Sequence, residues 1–181
     1  MEEKQVKYAL GRLSQVEAVT FGEPGRRTFR LDLHSGSAFC SMWLEKEQLF
    51  QLGVYLRDYV GSLSAEERAR ESAPQEPGWP GGETTIDFKA GQMFLSHDKE
   101  TNSFFMQAHE RETGEEEERT LGEEADSVSF WMTLTQASEL AEESLRICAA
   151  GRPACFLCGQ PINPEGHVCP RANGHTILEA G

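Results

Sequence analysis

Apolar and polar residues alternate with the two-residue period of a β-strand along much of the first 44 positions, and the period then lengthens to that of a helix. VEAVTF (16–21) predicts a strand, GEPGRR (22–27) supplies turn residues, and TFRLDLH (28–34) sets Phe29, Leu31 and Leu33 against polar neighbours. These two strands should form a hairpin. AFCSMWL (38–44) predicts a third strand, and in EKEQLFQLGVYLRDYV (45–60) Leu49, Leu52, Leu56 and Val60 recur at helical spacing. The first unit is therefore β-β-β-α.

The same order returns further along. GQMFLSH (91–97) predicts a strand, DKETN (98–102) a turn, SFFMQAHE (103–110) and SVSFWMTL (127–134) two more strands, and TQASELAEESLRICAA (135–150) a helix. His34 and His109 close equivalent strands 75 positions apart, while Leu44 and Leu134 end equivalent strands 90 apart. The difference is an acidic stretch, ERETGEEEERTLGEEAD (110–126), with nine acids against two Arg. It reads as an insertion in one hairpin, solvated and projecting from the body because its charges repel one another. Between the repeats, GSLSAEERARESAPQEPGWPGGE (61–83) is rich in Ser, Glu, Pro and Gly and predicts a linker, partly disordered. The expected fold is α+β. Two duplicated β-β-β-α units (1–60 and 84–150) form one pseudo-twofold domain over residues 1–150, because neither half alone buries enough surface. A small tail, 151–181, follows.

The tail carries the most specific chemistry in the chain. CFLCGQPINPEGHVC (155–169) sets Cys155 and Cys158 in a C-x-x-C turn, then His167 and Cys169 two apart, so that in extended chain both point the same way. Zn²⁺ takes four tetrahedral nitrogen and sulfur ligands, and these four suit it. Gly159 permits the positive φ such a turn uses. Loop thiols without metal leave the pattern unexplained, and a redox C-x-x-C leaves His167 and Cys169 unused. Four protein ligands close the coordination sphere, so the expected zinc is structural. His175 is an alternative to His167 as fourth ligand. Metal would supply much of the tail's folding energy, since few apolar residues beyond Phe156, Leu157, Ile162 and Val168 are present.

GRPACFLCGQPINPEGHVCPRANG (151–174), with FGEPGRRTFRL (21–31) and LEKEQL (44–49), resembles a bacterial family of unknown function found chiefly in actinobacteria and Chloroflexi-type organisms. The resemblance spans nearly the whole chain. It implies a cytoplasmic protein with no established activity, encoded near a phosphatase-like phosphoglycerate-mutase relative and a lipid-kinase-like protein. Phosphate-linked chemistry is thereby implied for the neighbourhood, without a role for this chain in it.

Charge and motif content narrow the function. A formal charge of −13, from 17 basic and 30 acidic residues, repels phosphate backbones and anionic membranes. No signal-like or membrane-spanning apolar run occurs, so a soluble cytoplasmic protein is expected. No P-loop, dinucleotide fingerprint, G-x-S-x-G or H-E-x-x-H signature is present. His34, His97 and His109 each fall near a predicted strand end, and Arg26, Arg27 and Arg30 gather on the first hairpin. If these six converged, they would suit a phosphorylated small molecule. Cys40 and Cys148 are expected in the core, with Phe39, Trp43 and Trp131 on the opposite strand faces. The leading expectation is a non-enzymatic interaction or adaptor module for another protein, with a structural zinc and with Trp43, Trp131 and the acidic loop as contacts. An enzyme acting on a phosphorylated small molecule is the alternative. Nucleic-acid binding through the tail ranks third, because Arg152 and Arg171 are balanced by Glu165 and Glu179.

Overall fold

The first strand does not begin at Val16. In the computed structural model, which describes residues 6–23, 25–112, 125–150 and 157, the chain is already extended at β1 (Tyr8–Arg12), and only Leu13 and Ser14 separate it from β2 (Gln15–Phe21). β3 (Thr28–Ser35), β4 (Ala38–Leu44) and α1 (Lys46–Ser62) follow, then a short α2 (Ala65–Ala69). β5 (Thr84–Asp98), β6 (Ser103–Glu110), β7 (Ser127–Thr133) and α3 (Leu134–Ala149) follow, so that the described residues form a mixed fold of one seven-stranded sheet and three helices.

Strand order is β1-β7-β6-β5-β4-β3-β2. The two edge strands are thus neighbours in sequence, and the sheet must curl until a two-residue link can join its ends. Leu13 N–H donates to Trp131 O (3.0 Å) and Ser14 N–H to His34 O (2.8 Å), so the link hands the chain from one edge to the other. β1 runs parallel to β7 and β2 antiparallel to β3. β5 behaves likewise: Thr84–Lys89 pairs parallel with β4, and from Ala90 onward the strand pairs antiparallel with β6 across a bulge between Ala90 and Met93. The bulge reverses which residues face inward. Before it Ile86, Phe88 and Ala90 are buried, and after it Met93, Leu95 and His97 take that side.

One core lies between the curled sheet and the helices. Leu31, Leu33, Met42, Phe104, Met106, Phe130 and Met132 from the sheet join Leu49 and Leu56 of α1 and Leu140 and Ile147 of α3 in a single buried cluster. The two long helices start where the sequence supplies capping boxes. Gln48 Oε1 accepts from Glu45 N–H (2.8 Å), and Thr133 with Gln136 satisfies two end groups of α3. They meet closely at Gly53, where a Cβ would stand 3.1 Å from Leu145 and 3.2 Å from Ser144.

Residues 61–83 are held to the body mainly by backbone groups. Ala73 N–H donates to Thr101 O (2.8 Å), Arg12 N–H to Pro77 O (3.2 Å) and Trp79 N–H to Ser35 Oγ (2.9 Å). Gly11 sits at φ +67° where this crossover passes, and a Cβ there would lie 1.9 Å from Pro77 O. The fixing point at the other end is Asn102, fully buried at φ +50°, whose Nδ2 donates to Glu67 O and Arg70 O (both 2.9 Å) at the end of α2. The acidic insertion is described only at its ends. Glu110 N–H donates to Asp126 O (2.8 Å), so the chain leaves and returns at one place.

Candidate functional site

The outward face of β2, β3 and β4 carries the most concentrated exposed chemistry among the described residues. Leu31 and Leu33 point into the core, so Arg30, Asp32 and His34 point out, and the β3–β4 register sets Arg30 directly opposite Trp43. The Arg30 guanidinium lies 4.7 Å from the Phe21 ring centre and 5.1 Å from that of Trp43. Phe21 and Trp43 themselves approach to 5.8 Å, and Phe21 is 43% exposed. Asp32 grips the guanidinium through two bonds, Nε to Oδ1 (2.5 Å) and Nη2 to Oδ2 (3.0 Å). That hydrogen bonding raises the Arg30 pKa above its ordinary value, against a smaller opposing effect of burial. Trp43 Nε1–H donates to Asp87 (3.1 Å), which fixes the indole. The group is a rigid cation–π platform whose polar atoms are already oriented. A second cross-strand aromatic pair, Phe105 with Trp131 at 4.9 Å, lies on the outward side of β6 and β7.

The three arginines do not share one task. Arg26 is exposed at the β2–β3 turn, its N–H donating to Glu23 O. Arg27 reaches the opposite way, Nη1 donating to Ala150 O (3.0 Å) at the end of α3, where the helix dipole favours a cation. Only Arg30 belongs to the aromatic platform.

Nor does the register bring the three histidines together. His34 pairs with Phe39, which pairs with Thr85 at the start of β5, while His109 falls opposite the bulge between Ala90 and Met93. Five or more residues of β5 separate those levels, on the order of 20 Å along the strand. His34 rests against Phe39 (4.8 Å) and His109 against Phe94 (6.1 Å), both outward. His97 lies farther along β5 on the inner side, against Tyr59 (5.1 Å) and Phe104 (4.9 Å). Its Nε2 is 3.0 Å from Asn102 Oδ1. Because Asn102 Nδ2 already donates to two carbonyls, Oδ1 must accept, and His97 carries its proton on Nε2. That is a structural role.

Cys40 and Cys148 are buried, and burial pushes the Cys40 thiol up to about 12, which removes it as a nucleophile at neutral pH. The proposed zinc ligands Cys155, Cys158, His167 and Cys169, and His175 with them, lie outside the described residues. Among the described residues, no group of three or more His, Cys, Asp or Glu side chains is arranged to hold a metal ion. Three Cys and one His remain a donor set suited to tetrahedral zinc. Sequence reasoning missed β1, the first half of β5, α2, and the anchoring residues Ser35, Asn102 and Ser72, whose Oγ accepts from Leu134 N–H (2.7 Å) and donates to Asn102 O (2.5 Å). Tyr8 and Leu10, and Ile86, Phe88 and Ala90, did carry an alternating signal.

Fold and site define a mixed α/β scaffold whose exposed chemistry stands on a sheet face. Among the described residues, no helix is long and apolar enough to cross a membrane. The chain belongs to DUF3090, a family described as protein of unknown function, whose match covers residues 8–169. No curated protein and no solved structure matches the chain.

Proposed function

We propose that this protein is a non-enzymatic interaction module that binds another protein through the outward face of its sheet, with the tail shaped by a structural zinc. The observation that carries this reading is the platform of Phe21, Arg30 and Trp43: a guanidinium held flat by Asp32 against two aromatic rings, with one ring nearly half exposed. Large, conformationally fixed aromatic and Arg side chains are the groups that anchor protein interfaces, because little side-chain entropy is lost when a partner covers them. The alternative, an enzyme for a phosphorylated small molecule, draws less support. Arg30 already uses Nε and Nη2 on Asp32, and His34, His97 and His109 occupy separate places on the sheet.

Internal duplication belongs to the same proposal. What supports it is the matching use of the two longest extended segments, residues 8–21 and 84–98. Each pairs parallel through its first part with the other half's last strand, and antiparallel through its second part with the next strand of its own half. The zinc assignment rests on the ligand spacing in the tail and on a family match that ends at Cys169, the last of the four ligands.

The test compares proteins retained from the cytoplasm of the native host by tagged wild type and by Phe21→Ser and Trp43→Ser variants with unchanged circular dichroism. The reading expects a specific partner lost from both variants. Retention unaffected by either substitution would contradict it.

A further inference from the structure

β2 ends the strand order, and among the described residues β3 is its only pairing partner, so every second N–H and C=O along its other side has no sheet neighbour. The opposite end of the order is covered: at β1, Arg12 N–H donates to Pro77 O and Gly11 bridges to Gly78. The open side of β2 borders a cleft of about 310 Å³ against α3, lined by Val16, Glu17 and Ala18 of the strand. Successive strand residues point to opposite faces, so three in a row reach one cleft only where it runs along the strand edge. Buried Ala18 and Leu140 form the floor, and Glu17, Glu139, Glu142 and Glu143 form the walls. Glu143 is tied to Arg146 (2.9 Å). Glu17, Glu139 and Glu142 are exposed and have no cationic partner among the described residues.

We infer that an extended, Lys- or Arg-rich segment of a partner protein adds to the open edge of β2 and sends its basic side chains into this cleft. The inference rests on the proposed interaction role and names the chemistry of the partner. Unpaired backbone groups supply the hydrogen bonds of an added strand, and the carboxylates choose its sequence. A second copy of this chain would set the same carboxylates against its own, and nucleic acid would bring more negative charge, so both are repelled. A cationic strand gains from edge and charge together, and the chain's formal charge of −13 attracts it. Glu17 pairs with Asp32 and so shares the outward face of Phe21, about 13 Å further along the strand. A segment of about six residues thus reaches from the cleft to the aromatic platform.

Fluorescence anisotropy and hydrogen exchange on the full chain test this with two labelled seven-residue peptides, one alternating Lys and Thr and the other Glu and Thr. The Lys/Thr peptide should bind at least about tenfold more tightly and slow amide exchange within residues 15–21. Replacing Glu17, Glu139 and Glu142 together by Gln, with circular dichroism unchanged, should weaken that binding about tenfold. A Lys/Thr peptide methylated at alternate backbone nitrogens keeps its charge but cannot add as a strand, and should also bind about tenfold more weakly. Equal binding of the Lys/Thr and Glu/Thr peptides, undiminished binding by the triple variant or of the methylated peptide, or unchanged exchange within 15–21 would overturn the inference. A host protein lost from Phe21→Ser and Trp43→Ser but kept by the triple variant would strike the cleft and leave the interaction reading intact. If wild type retains no specific host protein, the interaction reading fails instead, and the peptide measurements still decide the cleft.

Discussion

His97 and Asn102 are joined by a hydrogen bond of 3.0 Å that orients the Asn102 amide, whose Nδ2 donates to Glu67 O and Arg70 O and so ties the end of α2 to the β5–β6 turn. Asn102 acts in three ways at once: its backbone takes a positive φ, its amide donates twice, and its own carbonyl accepts from Ser72 Oγ. Asn102→Ala should cost about 2–4 kcal/mol, because it strains the turn and leaves buried groups unpaired. Asn102→Gly should cost less, since it relieves the backbone while losing the same bonds. Chemical denaturation of the two variants checks the order. Equal costs would show that φ is unimportant here.

The same bond fixes a tautomer. Nitrogen NMR of His97 near pH 8 should show the neutral ring protonated at Nε2, because Asn102 offers only an oxygen to it. A ring protonated at Nδ1 would mean that the Asn102 amide is flipped and the anchoring of α2 misassigned.

Gly11→Ala is expected to destabilise by about 2–4 kcal/mol. The new methyl would sit 1.9 Å from Pro77 O in a left-handed backbone, and relief requires moving the 61–83 crossover itself. Gly61→Ala serves as the control, as nothing lies within 4 Å of a Cβ there. Should both variants melt together with wild type, the crossover would not be docked as described.

Deleting Glu112 to Glu124 and joining the ends with a short Gly/Ser link should leave the melting temperature nearly unchanged. Glu110 and Asp126 are already hydrogen-bonded across the base of the insertion, so a short turn can replace it. A loss above about 2 kcal/mol would show that the acidic segment packs on the body.

Replacing Cys158 by Ser should lower zinc content and raise protease sensitivity after about residue 151, while the body keeps its secondary structure. Leu31, Leu33, Phe104, Phe130 and Leu140 are buried in one cluster built from the described body. Loss of the whole fold in this variant would mean that tail and body unfold together.

Much of the architecture was legible because strand and helix faces leave a periodic trace. Leu31 and Leu33, and Leu49, Leu52 and Leu56, predicted β3 and α1 and are buried in the structure. What escaped was specified by backbone hydrogen bonds. Nothing in the hydrophobicity of GSLSAEERARESAPQEPGWPGGE announces that Ser72, Pro77 and Trp79 dock through amides, carbonyls and hydroxyls. β5 was read only from Gly91 because the bulge shifts the alternation, so that Ile86, Phe88, Ala90 and then Met93, Leu95 do not form one series. For the site, Trp43 on the outward face was foreseen, but its clamp was not. Phe21, Arg30 and Trp43 come from three strands, and only the register shows that they stack.

Zinc X-ray absorption on the full-length protein, purified without a metal-affinity tag and paired with elemental analysis, tests most directly whether the metal is present, closed and structural. The account predicts about one zinc per chain with three sulfurs at about 2.3 Å, one nitrogen at about 2.0 Å and no water in the first shell. Less than about 0.3 zinc per chain, or a sphere of three protein ligands and a water oxygen, the arrangement of a catalytic site, would contradict it.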